Sequence, residues 1–107
     1  MYLQIKRDQR VIISAEGLWS PESRPATVTW CGANGIEGRP ANEDYLVPGS
    51  NVASLVARIG DSSALSVGAY FDFHSSYEGA LWMAMNEIPE YHNQAGSLST
   101  QIILFDL

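Results

Sequence analysis

Apolar and polar residues alternate along most of this chain with a period of two. The alternation runs through YLQIK, RVIISAE, SVGAYFDF and SLSTQIILF, at residues 2–6, 10–16, 66–73 and 97–105. Successive side chains of a β-strand point to opposite faces, so each segment predicts a strand with one buried face. No stretch of ten or more residues has the spacing of an amphipathic helix.

Two further segments, LVARI at 55–59 and GALWMAM at 79–85, also predict strands. The second is apolar on both faces, which predicts a central strand covered on both sides. Most Gly, Pro, Asn and Asp residues fall between the predicted strands, at 16–25, 31–44, 47–51, 60–63, 75–79 and 86–96. Short strands separated by turns are typical of an all-β fold. We expect a single domain spanning 1–107, an antiparallel jelly-roll-like β-sandwich of about seven or eight strands.

Composition excludes several functional classes. The 107 residues are 46 % hydrophobic, enough for one core, and 12 acidic against 6 basic residues give a net charge of -6. The basic residues are mostly scattered, so we expect no nucleic-acid partner. No apolar run approaches the ~20 residues of a membrane span, so we expect no membrane insertion. The N-terminus lacks an apolar signal region, which predicts a cytoplasmic location or export by a non-classical route.

The sequence gives no signal for catalysis. The single cysteine, Cys31, rules out an internal disulfide and a cysteine-based zinc site, and we interpret it as a buried spectator. There is no G-x-S-x-G nucleophile elbow, and the Gly-rich segments at 32–38 are not followed by the Lys-Ser/Thr of a phosphate loop. We therefore predict no catalytic residues and no enzymatic activity.

The loop NEIPEYHNQAGS at 86–97 is the strongest candidate site. It places carboxylates and amides between two predicted strands. Such oxygens in a tight Gly-containing loop suit a hard cation such as calcium, and oxygen-rich loops at the rim of a sandwich also bind sugars. An ordinary polar hairpin loop explains the same composition.

Four stretches in order are similar to one known group of proteins. They are RVIISAEGLWS at 10–20, WCGANG at 30–35, SLVARIGDSSALSVGAYFDF at 54–73 and ALWMAMNEIPEYHNQAGSLSTQI at 80–102. Together they resemble the PA-IL-like bacterial galactophilic lectins, which have a galactose-binding-like β-sandwich. The similarity covers most of the chain and implies a carbohydrate-binding function.

The resemblance also implies a calcium site in the loop at 86–97, which we call the closing loop. In the family, an Asp, two consecutive Asn and two main-chain carbonyls hold one ion, which coordinates two galactose hydroxyls. By position, the side-chain ligands become Glu87, Asn93 and Gln94, and the carbonyls become those of Pro21 and Tyr91. Glu87 and Gln94 are each one methylene longer than the family's residues, so the backbone must retreat for calcium to keep its distances of ~2.3–2.6 Å.

The family contacts its sugar through a His and a Gln of the long middle loop. These positions hold Pro40 and Glu43 here, so the His is absent. The resemblance then implies a sugar site at Glu43, Glu87, Ile88 and Asn93.

Two hypotheses of different classes follow. The first is a lectin in which Trp19 or Tyr91 stacks on the sugar; homo-oligomers would raise its avidity. The apolar segment QIILFDL, at 101–107, then pairs as an edge strand with another subunit or is buried within its own sheet. The second is an acidic protein-binding module, of inhibitor or immunity type, that binds a basic protein partner on the same scaffold.

Overall fold

The chain folds into two antiparallel sheets, whose apolar faces pack against each other. A computed structural model describes residues 3–89 and 94–105 of the chain. Its strands are β1 (Gln4–Ile5), β2 (Arg10–Ser20), β3 (Leu55–Ile59), β4 (Leu65–Ser66), β5 (Tyr70–His74), β6 (Gly79–Met85) and β7 (Ala95–Phe105). The predicted all-β sandwich is confirmed. Within the described residues no helix is long and apolar enough to cross a membrane.

One sheet has three strands in the order β5-β2-β7, and the other has four in the order β1-β6-β3-β4. The core lies between them. Alternation decides which side chains enter it: Val11 and Ile13 of β2 are fully buried, whereas Ile12 and Ser14 are partly exposed. From the other sheet, strands β1, β3 and β6 contribute buried residues that include Ile5, Leu55, Ala57, Ile59 and Leu81.

Two predicted boundaries were wrong. The segment 16–25 was expected to be a turn, but β2 continues through Gly17 to Ser20. It continues because β7 pairs with it over its whole length, from Arg10 opposite Phe105 to Ser20 opposite Ala95. The segment 66–73 divides into β4 and β5, with Gly68 at a φ of 71° between them.

The expectation that β6 is covered on both faces was also wrong. Trp82 is 54 % exposed, although β6 lies between β1 and β3. Burial alternates along the strand, with Leu81 and Met85 turned to the core. In the described part of the chain, another sheet covers only one face of this sheet. The apolar residues of β6 do not by themselves indicate which face that is, or that the other face is exposed. The guanidinium of Arg58 lies 6.0 Å from the Trp82 ring centre.

A second, smaller cluster packs the long middle loop, residues 36–54 before β3, against the end of β6. Its buried residues are Ala41, Val52, Ala53 and Met85. Backbone hydrogen bonds join the two halves of the loop, from Val52 N to Arg39 O at 2.8 Å and from Ala41 N to Ser50 O at 2.8 Å. The loop is therefore a folded unit with its own apolar contacts, and it forms one wall of the candidate site.

Gly60 and Gly38 provide a matched test of close packing. Both have left-handed φ angles, 56° and 76°. A Cβ on Gly60 would lie 2.6 Å from the Glu78 carbonyl oxygen, whereas one on Gly38 would meet nothing within 4 Å. Gly38→Ala should cost only the backbone strain, about 1 kcal/mol. Gly60→Ala should cost at least about 1 kcal/mol more, measured by urea unfolding. Equal losses would contradict the close approach of β3 and β6.

Candidate functional site

The closing loop starts from a fully buried side chain. Asn86 follows β6 immediately and is 0 % exposed. Its Oδ1 accepts a hydrogen bond from Val47 N at 2.9 Å, and its Nδ2 donates to Val47 O at 3.0 Å. Nδ2 also approaches the carbonyl oxygens of Ser50 at 3.4 Å and Asn51 at 3.2 Å. One carboxamide therefore ties three residues of the middle loop to the end of β6 and supplies the partner of Val47 N.

The backbone around Asn86 is fixed in the same way. Asn86 N donates to Ser54 O at 2.7 Å, and Ala53 N donates to Asn86 O at 2.9 Å. At the next residue, Leu46 N donates to Glu87 O at 3.2 Å. These bonds hold the end of β6 on both sides, so the direction of the Glu87 side chain is set by the fold.

Glu87 is the notable polar group of this site. It is only 5 % exposed. Its Oε2 accepts a hydrogen bond from Gln94 Nε2, while its buried Oε1 has no hydrogen-bond partner among the described residues. A buried carboxylate oxygen that has lost its water needs compensation from a donor or a cation. Within the described residues, the geometry therefore leaves one carboxyl oxygen at which a positive ligand can bind.

Pro21 is brought to the same end of the sandwich by strand register. Ser20 opposite Ala95 is the last pair of β2 and β7. Pro21 directly follows this last pair and Gln94 directly precedes it, and the Gln94 side chain bonds to Glu87. Among the described residues nothing donates a hydrogen bond to the Pro21 carbonyl, so its oxygen is available to a ligand.

The turn that contains Pro21 is held by a buried hydroxyl. Ser20 is 0 % exposed, and its Oγ accepts from Glu22 N at 3.1 Å and from Thr29 N at 3.0 Å. The same hydroxyl donates to Glu22 O at 2.8 Å. Pro21 lies between these anchored residues, so its carbonyl position is constrained before any ligand binds.

The carboxylate of Glu22, next to Pro21, is already paired with Arg24. Glu22 accepts hydrogen bonds from the Arg24 guanidinium, at 3.1 Å from Nε and 3.2 Å from Nη2. These bonds lower the pKa of Glu22 and raise the pKa of Arg24. Glu22 is therefore ionised at neutral pH and neutralised by its partner, so it adds no free charge to the site.

The remaining predicted site residues are not joined to this group by any described contact. Glu43 is exposed in a turn of the middle loop, next to the bond from Asp44 N to Asn42 Oδ1 at 2.9 Å. Ile88 is half-buried directly after Glu87. The roles of Glu43 and Ile88 stay predictions.

Tyr91 and Asn93 lie outside the described residues. Their predicted roles in metal and sugar binding also stay predictions.

The two tryptophans near the site have different environments. Trp19 is half-buried, and its Nε1 donates to the Ala53 carbonyl at 2.8 Å, so its indole helps to hold the middle loop. Trp30 is 53 % exposed, and a Cβ on Gly96 would lie 2.7 Å from its ring. Trp30 was not among the predicted aromatic contacts, although it stands in the WCGANG motif.

Cys31 shows no sign of being a nucleophile. It is half-buried, its thiol donates to the Trp19 carbonyl at 3.6 Å, and burial raises the pKa of the thiol. The thiol is therefore protonated at neutral pH. In residues 3–89 and 94–105 there is no group of three or more His, Cys, Asp and Glu side chains that could hold a metal ion. A cation held by these residues would depend on one carboxylate and neutral oxygens.

The comparisons with known proteins agree with this architecture. A solved structure described as the EclA N-terminal domain, a PllA-like lectin, is similar to this chain with a TM-score of 0.68. The similarity covers 96 % of this chain and 82 % of that one at 21 % sequence identity. No family model matches the sequence, and no curated protein matches it. The resemblance to PA-IL-like lectins is thus confirmed at the level of the fold.

Replacing Asn86 with Ala should be the most damaging polar substitution at this site. The change leaves Val47 N without its partner and removes the side-chain donor to three carbonyls of the middle loop, so we expect a loss of about 2–3 kcal/mol and a fall in Tm of about 10–15 °C. Asn42→Ala is the matched control, because Asn42 is exposed and makes only a local turn bond. Its Tm should change by about 2 °C or less. Similar Tm values for the two variants would contradict the anchoring role of Asn86.

Proposed function

We propose that this protein is a non-enzymatic, carbohydrate-binding lectin-like protein whose site depends on calcium and accepts galactose-type sugars. The observation that carries the proposal is the buried Glu87 Oε1, which has no hydrogen-bond partner within residues 3–89 and 94–105, on a carboxylate bonded to Gln94. The fold similarity to a PllA-like lectin supports the carbohydrate-binding part. Calcium and galactose are inferred from the residues that occupy the corresponding loop.

The described residues fit a calcium ion by the chemistry of their donors. Calcium takes oxygen ligands from carboxylates, amides and backbone carbonyls. Glu87 supplies a carboxylate, Pro21 a carbonyl and Gln94 an amide oxygen. Gln94 donates its nitrogen to Glu87, and rotation about the last side-chain bond would turn its oxygen to the same point. Asn93 and the Tyr91 carbonyl would complete the set, and the bound ion would supply coordination positions for sugar hydroxyls.

Charge predicts how tightly the ion would bind. Calcium affinity falls as the number of anionic ligands falls, and only Glu87 is a free carboxylate among the described residues of the proposed set. We therefore expect a dissociation constant of about 10⁻⁴–10⁻³ M, in the range of weak extracellular modules. The side chains of Glu87 and Gln94 meet at a hydrogen bond, which supports their acting together as ligands.

The sugar would be oriented at the rim of this site. Exposed Glu43 would accept hydrogen bonds from hydroxyls, and half-buried Ile88 would contact the apolar edge of the ring. A shallow site of this kind binds weakly, near millimolar, which is ~4 kcal/mol. Homo-oligomers would then raise the avidity by presenting several sites.

Calcium should stabilise the native protein. A ligand that binds only the folded state adds RT ln(1 + [L]/Kd), about 2 kcal/mol at thirty times Kd. For a domain of this size we expect a Tm rise of about 8–15 °C in 10 mM calcium relative to EDTA. No rise, or an equal rise with magnesium, would contradict a calcium site.

Glu87→Gln tests whether calcium binding requires the negative charge of this side chain, because the substitution keeps its size and shape. The variant removes the carboxylate, so the calcium-dependent rise in Tm should disappear. In EDTA its Tm should equal or exceed that of the wild type, because an uncompensated buried charge has been removed. Glu37→Gln is the matched control; Glu37 is exposed and makes no described ion pair or hydrogen bond, and it should keep the full calcium response. A calcium response that survives Glu87→Gln would overturn the assignment of this ligand.

Glu43→Ala should act on the sugar alone. A hydrogen bond to a charged group contributes about 1.5–3 kcal/mol, so we expect galactose binding to weaken about tenfold or more, measured by NMR titration. The calcium-dependent rise in Tm should be unchanged. If calcium and galactosides both fail to bind the wild type, the acidic protein-binding module becomes the better hypothesis, and a basic partner should then be captured stoichiometrically.

A further inference from the structure

The long strand β7 has an open edge. It pairs with β2 on one side, and within the described residues no strand pairs with its other side. An edge strand presents unpaired N–H and C=O groups, which form a template for another strand. β7 is 11 residues long, so this is the most extensive free edge of the described fold.

Hydrogen bonds of β2 identify which β7 groups are free. Trp19 exchanges both of its backbone hydrogen bonds with Cys31, and Ala15 N donates to Ala69 O. The odd-numbered residues of β2 therefore direct their backbone groups away from β7, and the even-numbered residues direct theirs towards it. Since the register is constant, odd-numbered β7 residues bond to β2. The even-numbered residues present their N–H and C=O groups outward: Gly96, Leu98, Thr100, Ile102 and Leu104.

The β7 edge carries none of the usual protection against pairing. Natural edge strands are blunted by charge, proline, bulges or short length. Strands β1 and β4 are two residues long, and β5 has five residues that include Asp72, which is paired with Arg10. The β7 sequence AGSLSTQIILF contains no charged residue and no proline, in a chain with a net charge of -6. Two of its large apolar side chains are exposed, Ile103 at 43 % and Phe105 at 44 %.

We propose that β7 pairs antiparallel with β7 of a second copy of this chain, across a two-fold axis at Thr100. In this register all the outward groups find partners: Thr100 faces its own copy, Leu98 faces Ile102, and Gly96 faces Leu104. On the outer face, Ala95 faces Phe105 and Ser97 faces Ile103. In three of these pairs a small residue faces a large one: Gly96 with Leu104, Ala95 with Phe105 and Ser97 with Ile103.

The strand's own pattern is the reason for choosing a second copy as the partner. Antiparallel pairing of identical strands is self-complementary, because the contact of residue i with residue j is repeated by symmetry. The acidic residues lie outside 95–105, so two copies can meet at this edge without placing like charges opposite each other. The product is a continuous sheet of six strands in the order β5-β2-β7-β7-β2-β5.

The pairing would have a consequence for the proposed lectin site, and this step alone rests on the proposed function. Gln94 lies next to the start of β7, six residues from Thr100. At ~3.3 Å per residue each site would be ~20 Å from the axis, and the two sites would be ~40 Å apart at opposite ends. Such a dimer would bridge two sugars on different chains.

Sedimentation velocity of the full chain tests the pairing without any ligand. We expect a species of twice the 11.7 kDa chain mass. Thr100 is exposed, so Thr100→Lys removes no core contact but sets two ammonium groups opposite each other, and it should raise the dimer dissociation constant at least about tenfold. Ser66→Lys, on the exposed edge strand β4, is the matched control and should leave the dimer intact. A monomeric wild type at all concentrations, or equal dissociation constants for the two variants, would overturn the proposal.

A cysteine cross-link tests the register. In a Cys31→Ser background, Thr100→Cys should give a covalent dimer on mild oxidation, because the Cα atoms of a directly opposed pair are ~5.5 Å apart, within disulfide range. Ser66→Cys in the same background should remain largely uncross-linked. A dimer that does not cross-link at Thr100 would overturn the two-fold axis placed there, and capture of a foreign strand by a monomeric chain would overturn the choice of partner. A cross-linked dimer without a calcium response would contradict the proposed function only.

Discussion

The buried carboxamide of Asn86 is the constraint on which the candidate site depends. It joins the end of β6 to the middle loop through Val47, Ser50 and Asn51, which are 35 to 39 residues away in sequence. A loop as long as the middle one needs such a fixed point, since its own apolar cluster is small. Because Asn86 is held from several directions, the next side chain, Glu87, is directed into a position with little access to water.

The second constraint is the register between β2 and β7. It is continuous over the full length of both strands and ends at Ser20 opposite Ala95, next to Pro21 on one side and Gln94 on the other. The site is therefore formed where two parts of the fold meet: the end of β6, held by Asn86, and the end of the β2–β7 pair. In the proposed site, one part supplies the Glu87 carboxylate and the other supplies neutral oxygens, so the described residues of the proposed ligand set carry a single free charge. Within the described residues, the same sheet leaves the far side of β7 without a paired strand.

The sequence predicted the sheets well wherever one face of a strand is buried. Val11 and Ile13 alternate with more exposed residues, and that alternation gave β2 and its orientation correctly. The prediction failed for β6, where Trp82 is exposed. An apolar segment does not reveal whether a second layer covers its other face. The prediction also ended β2 too early, since Gly17 looked like a turn residue although pairing with β7 keeps it in the strand.

The candidate site was predictable only in part, for a similar physical reason. Glu87, Gln94 and Pro21 were chosen from the lectin resemblance, and the fold brings them to one end of the sandwich. Asn86 was missed as an anchor because its partners are far away in sequence and are backbone groups, which leave no trace in residue type. The Trp30 ring lies close to Gly96, and no local sequence pattern encodes a contact between residues so far apart in the chain.

The central claim, that Glu87 binds calcium, is tested most directly by a crystal structure determined with calcium and galactose present. The region to inspect is the Glu87 carboxylate. The predicted result is one ion per chain, about 2.3–2.6 Å from Glu87 Oε1, with the Pro21 carbonyl and the Gln94 amide oxygen in the same coordination shell and sugar hydroxyls completing it. Glu87 Oε1 bonded only to protein donors or water, with no ion at millimolar calcium, would contradict it.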